Sequence, residues 1–165
     1  MARLVDATDQ AEVMIQQMDE RLSAVRSKVS VLSEAQRRTV MVYATWGSAQ
    51  GVGSSWDEII RRAGLINAAG EFSADEWGQV PLSKEAVLEL DPDLLILPGW
   101  VYGDPGGAEA FYRQTLEDPA LHGLTAIREG RVFQMPEGLK SATSQYIVDA
   151  VEYLGRLAYP TLFTD

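Results

Sequence analysis

The sequence predicts an α/β fold, a three-layer α/β/α domain with a mostly parallel sheet, preceded by a long helix of the interdomain type. Three observations carry this. Short strand-like runs at Thr39–Ala44, Leu94–Leu97 and Val132–Met135 alternate with amphipathic segments. The first two are almost uninterrupted apolar runs, as expected of strands buried on both faces. Strands alternating with helices imply parallel pairing through right-handed crossovers.

From Asp9 to Gln36 there is no Gly or Pro, and Met14, Met18, Leu22, Val25, Val29 and Leu32 recur at helical spacing. Residues 1–37 are therefore read as a long connecting helix, either a spine crossing the domain or a coiled-coil partner. Residues 38–165 form the α/β lobe. Its first strand, Thr39–Ala44, leads into the loop Thr45–Ser54. A helix to Ala63 follows, with Ser55 and Glu58 as its capping box and Gly64 as its terminator. After Asn67–Gly70 the stretch to Val80 reads as irregular. Ser83 caps a short helix from Lys84 to Glu89, and Asp91-Pro92 ends it. Leu94–Leu97 is the second strand, with the Gly/Pro-rich loop Pro98–Gly107 behind it, and a helix covers Ala108–Leu116. Ala126-Ile127, a turn and Val132–Met135 complete the third strand. The last helix runs from Thr143 to Ala158, and Pro160 stops it. Ligands of such sheets bind beyond the carboxyl ends of the strands, here at Trp46–Ser54, Pro98–Gly107 and Pro136–Ser141.

The chain of 165 residues suits one domain. Its net charge of −10 and unclustered Lys and Arg argue against nucleic acid. With no cysteine and a single histidine, His122, a transition-metal site is not expected. His122 reads as a surface or structural residue, with a lone general base as the alternative. Gly51-Val52-Gly53-Ser54-Ser55 follows a strand and opens a helix, yet it lacks the Lys-Ser/Thr of a phosphate loop and the third glycine of a dinucleotide fingerprint. It leaves a stand-alone α/β enzyme or nucleotide-binding module as the alternative reading. Met1–Asp6 leads into polar sequence, so no signal peptide is expected in this chain.

Aromatic placement is more informative. Trp46, Trp100 and Tyr102 fall just beyond strand ends, and Trp77 lies in irregular sequence. Trp56, at a helix start, fits the core. Large aromatics at a sheet's carboxyl edge suggest a stacking ligand wall.

In the Thr39–Ala44 strand, the Gly-rich loop and capped helix after it, Ala63–Ala69, Ser83–Ile96, Asp118-Pro119, Leu124–Phe133, and Tyr153-Leu154 to Tyr159-Pro160, the chain resembles a known family. It is similar to the C-terminal lobe of the extracytoplasmic (periplasmic or cell-surface lipoprotein) binding proteins that serve iron–siderophore, haem and cobalamin ABC importers. The resemblance covers about Arg38 to Phe163, and the preceding helix resembles the one joining the family's two lobes. It implies non-covalent capture rather than catalysis, and no cofactor. The ligand would be an Fe(III)-siderophore, haem or cobalamin, whose metal arrives inside its chelator. Trp46, Gly47, Ser48, Gln50, Trp77, Trp100 and Tyr102 would face that ligand. Glu85 would dock on the membrane permease. Its carboxylate also suits the start of a capped helix, where the dipole favours it by about 0.3–1 kcal/mol. A missing N-terminal lobe would supply the opposite wall, and a lobe lacking that partner exposes apolar surface on which a homodimer could form.

Overall fold

The computed structural model describes residues 8–140 and 144–164. Helix α1 spans Thr8–Val29 and ends there rather than at Gln36. Serines account for the early stop. The Ser30 hydroxyl donates to the Ser27 carbonyl at 2.8 Å, and the Ser33 N–H and hydroxyl both donate to Gln36 Oε1 at 2.9 Å, closing a separate 3₁₀ turn. Such side chains compete with helical hydrogen bonds. Burial of the apolar stripe is concentrated in its second half: Val25 and Val29 are buried, whereas Met14 is 39% exposed, flanked by the exposed Val13 and Ile15.

Four parallel strands build the main sheet, in the spatial order Ile66–Asn67, Thr39–Val42, Leu94–Pro98, Val132–Met135. They are β1 (Thr39–Val42), β3 (Ile66–Asn67), β5 (Leu94–Pro98) and β6 (Val132–Met135). Every residue of β5 is buried. Asp93 aligns it with β1, because its Oδ2 accepts from the Thr39 N–H at 2.8 Å while Thr39 Oγ1 accepts from the Asp93 N–H at 3.0 Å. The edge strand β3 lies just after Gly64, where the sequence reading assigns no strand. Two residues carry no periodicity, and only pairing with β1 makes them a strand.

Two further short strands, β2 (Ser48–Gln50) and β4 (Gln79–Pro81), form an antiparallel ribbon where loops were expected. Gly47 and Gly78, at φ of 75° and 77°, turn the chain into each strand. Gly51 has no room for a side chain, since a Cβ there would lie 2.4 Å from Val80 Cγ2. The partners are far apart in the chain, which hides the ribbon from local reading.

Helix α2 (Ser55–Arg62) is capped by Ser54, not Ser55: the Asp57 N–H donates to Ser54 Oγ at 3.1 Å. Glu58 closes no capping box and instead pairs with Arg61 and Arg62. Gly64, at φ 78°, terminates the helix as its sequence position implies. Helix α3 (Lys84–Leu90) has the expected cap, Ser83 accepting from the Ala86 N–H. Helix α4 (Gly107–Glu117) follows β5. Ala126 and Ile127 belong to the one-turn helix α5 (Thr125–Arg128) rather than to a strand. After β6 come α6 (Glu137–Lys140) and α7 (Ile147–Ala158). The expected helix start at Thr143 and the loop end at Ser141 lie outside the described residues.

Side-chain alternation splits the core into two layers. Val40, Leu94, Ile96 and Met135 point towards α1, α2 and α7. Met41, Leu95, Leu97 and Val132 point towards α3, α4 and α5. The three-layer α/β/α architecture follows from this period-two placement.

Candidate functional site

The chain leaves β1 through α2 to reach β3 on one side of the sheet, then crosses through α3 to β5 on the other. The two helices lie on opposite faces. Between β1 and β5 the winding therefore reverses, and at such a switch point the carboxyl ends of the strands diverge into a crevice. A cavity of about 260 Å³ opens there.

Its floor is apolar, made by Val42, Leu97, Pro98 and Met135. Trp46 rises from the turn after β1, and Trp100 and Tyr102 from the loop after β5. Trp100 and Tyr102 meet edge to face at 5.9 Å between ring centroids. Trp46 is 68% exposed and Tyr102 88%, so both offer ring surface to whatever enters. Gly99 permits this loop its path: a Cβ on Gly99 would sit 2.2 Å from the Met135 carbonyl oxygen, so the chain passes directly against β6. Neutral polar groups complete the lining, among them Thr45, Gln50 and Gln79. Burial pushes the Tyr43 phenol above its usual range, against the opposing influence of Lys84, so it is an uncharged group at the cavity edge. Its ring stacks on Phe111 at 6.2 Å.

Of the residues expected to face a ligand, Trp46, Gln50, Trp100 and Tyr102 thus share one cavity. Gly47 and Ser48 are not among its lining residues. Gly47 makes the turn, and buried Ser48 donates from Oγ to Gln79 Oε1 at 2.5 Å. Trp77 does not line this cavity; it is 78% exposed beside a second hollow, which shares Gln50 with the cavity and is otherwise lined by residues such as Ser54, Ser55, Asp75 and Glu76. The Asp75 carboxylate holds its turn by accepting from the N–H groups of Trp77 and Gln79. Tyr43, Gln79 and Met135 were not singled out in the sequence. Tyr43 had a local signal, an aromatic closing a strand; Gln79 had none, because its place depends on the β2–β4 ribbon.

Glu85 is exposed on the first turn of α3. Hydrogen bonds from its own backbone N–H and the Ser83 hydroxyl hold its carboxyl below the usual range. Next to it Lys84 pairs with Asp118 at 2.5 Å. His122 is exposed, and among the described residues no three metal-ligating side chains cluster.

The glycine-rich loop is already occupied. The N–H groups of Gly51, Val52 and Ser54 donate to the carbonyls of Gly78, Phe72 and Gly51, and Gly53 donates to Asp57 Oδ2. A phosphate would find its donors used and a carboxylate in its place. The loop is a structural turn, which removes the basis for the nucleotide-binding reading.

Among the described residues no helix is long and apolar enough to cross a membrane. The model of the family described as periplasmic binding protein matches residues 1–139. No curated protein matches the chain. Among solved structures, a periplasmic solute-binding protein from Veillonella parvula is 23% identical with a TM-score of 0.78, over 99% of this chain and 49% of its own. An ABC-type Fe³⁺-hydroxamate transport system from Saccharomonospora viridis is 26% identical at TM-score 0.75, over 94% of this chain and 51% of that one. A periplasmic heme-binding protein from Roseiflexus sp. RS-1 is 20% identical at TM-score 0.78, with 98% and 60% covered. The chain thus spans about half the length of the structures it matches.

Proposed function

The chain belongs to the periplasmic binding protein family, a family of binding proteins rather than enzymes, and from that premise we propose that it is the C-terminal solute-binding lobe of an ABC importer for an iron–siderophore, haem or cobalamin-type ligand. The observation that supports this most is the aromatic cavity at the switch point between β1 and β5. Capture is non-covalent. Trp46, Trp100 and Tyr102 stack on the bulky organic part of the chelate, and the iron or cobalt stays within its own ligands. The protein works outside the cytoplasm. A second α/β lobe faces the open side of the cavity, in keeping with a chain spanning about half of its structural relatives. The loaded protein docks on the permease through the carboxyl edge of the sheet, where Glu85 is exposed and charged.

Titration of the chain with a ferric hydroxamate, haem and cobalamin, followed by tryptophan fluorescence, tests this reading. At least one ligand should quench saturably, with affinity between micromolar and millimolar for a single wall. The double variant Trp46→Ala, Trp100→Ala should weaken it about tenfold or more. Absence of saturable binding by all three up to millimolar concentration would overturn it. Exposed Val13 and Ile15 on α1 favour one addition, pairing of two copies through that helix. Light scattering across a concentration series would reveal the dimer.

A further inference from the structure

The cavity differs in kind from the surface around it. Nearly a quarter of the sequence is charged, yet among the described residues no Asp, Glu, Lys, Arg or His lines this space. The groove between α1 and α2, by contrast, carries Asp19, Arg26, Arg37, Glu58, Arg61 and Arg62. Among the described residues, polar contacts in the cavity come from neutral groups: the Tyr43 and Tyr102 phenols, Thr45, Gln50, Gln79, the tryptophan indole N–H groups and the main chain. The apolar contacts come from the floor and from Trp46, Trp56, Trp100 and Tyr102.

We infer that this wall selects its ligand by charge, accepting an electroneutral chelate face and rejecting an anionic one; the inference rests on the solute-binding reading and narrows its ligand class. An ionised group pressed against such a wall loses part of its water shell and finds no counter-charge among the described lining residues. Neutral amide, hydroxyl and aromatic surface loses little there and gains stacking. Ferric tris-hydroxamates, in which three monoanions cancel the charge of Fe(III), fit this wall, as does the face of a corrinoid. Ferric tris-catecholates carry three uncompensated negative charges and do not fit. The net charge of −10 adds a long-range term of the same sign. Salt screens that term and leaves the desolvation cost.

The test uses the full chain and two ferric probes of opposite character, electroneutral ferrichrome and the trianionic complex of enterobactin. Tryptophan quenching is read in 0.15 M and 0.5 M NaCl. Ferrichrome should bind at least about a hundredfold more tightly, and the ratio should persist at high salt. A lysine placed in the lining, by Thr45→Lys or separately by Val101→Lys, should bring the catecholate within about tenfold of the hydroxamate. Either variant suffices if the other does not fold. Comparable binding of both probes by the unaltered chain, or a preference that vanishes with salt, overturns the charge inference and leaves the solute-binding reading intact. If neither probe binds, nor haem, nor cobalamin, both readings fall.

Discussion

Asn67 donates from its single Nδ2 to the Asp57 carboxylate and to the Gln50 carbonyl, each at 3.0 Å. Both side chains are more than nine-tenths buried. The pair thereby ties edge strand β3 to the first turn of α2 and fixes the backbone of a residue that lines the cavity. Asn67 Oδ1 also accepts from the Ala69 N–H at 3.1 Å. Asn67→Ala strands several of these groups without water, so it should cost about 2–3 kcal/mol in urea unfolding. An unchanged midpoint would show that the network is dispensable.

Gly99 makes a second test of how the cavity is held. Gly99→Ala puts a methyl within 2.2 Å of the Met135 carbonyl oxygen, so β5 and β6 must part at their carboxyl ends. Stability should fall by about 1–3 kcal/mol, and Trp100 emission should shift because its neighbour has moved. Gly138→Ala in α6 is the control. Nothing lies within 4 Å of its Cβ position and its φ is ordinary, so it should be neutral or gain up to about 1 kcal/mol.

The Lys84–Asp118 pair predicts a pH window. Hydrogen bonding to Lys84 holds the Asp118 carboxyl below its usual range, and the same bond raises the Lys84 ammonium. A lowered carboxyl stabilises above its unfolded pKa and loses that effect as pH falls through the folded value. A raised ammonium stabilises below its unfolded pKa and loses it as pH rises through the folded value. The Tm difference between the unaltered chain and Lys84→Met should therefore be present from about pH 5 to 9 and shrink below about pH 4 and above about pH 10.5. A difference that stays constant from pH 3 to 11 would refute the pairing.

Arg21 clamps α1 to α7, meeting Asp149 at 2.5 Å and Glu152 at 2.8 Å. These groups are partly exposed, so the clamp is worth little per pair despite its good geometry. A double-mutant cycle between Arg21→Met and Glu152→Gln should return about 0.5–1 kcal/mol in low salt and clearly less in 1 M salt. A coupling unmoved by salt would mean that the contact acts by packing.

The central strands were legible because burial on both faces demands continuous apolar sequence. Leu94–Leu97 could scarcely be anything else, and Ser83 and Gly64 mark their helix ends by side-chain chemistry alone. Short-range signals also misled. Ser54 and Ser55 both qualify as a cap, and only the observed position of the Asp57 N–H selects the first. The glycine-rich loop looked open to phosphate because nothing in its own residues reveals that Asp57 and Phe72 return to fill its donors.

For the site, residue type together with nearness to a strand end located Trp46, Trp100 and Tyr102, since loops after parallel strands must emerge at one edge of the sheet. Trp77 shows the limit of that argument. It follows no strand end of the main sheet, and an antiparallel ribbon closed by contacts distant in the chain carries it to a neighbouring hollow rather than into the cavity.

The sequence by itself therefore determined the three-layer architecture, the central strand and the aromatic character of the carboxyl edge, because each depends on local periodicity or on the chemistry of single residues. Tertiary structure alone decided the rest: the winding reversal between β1 and β5, the ribbon that brings Gln79 beside Ser48, and a cavity whose described lining carries no charge. These depend on which distant segments pack together, and chain-closure and desolvation energies set that pairing only once the whole core has formed.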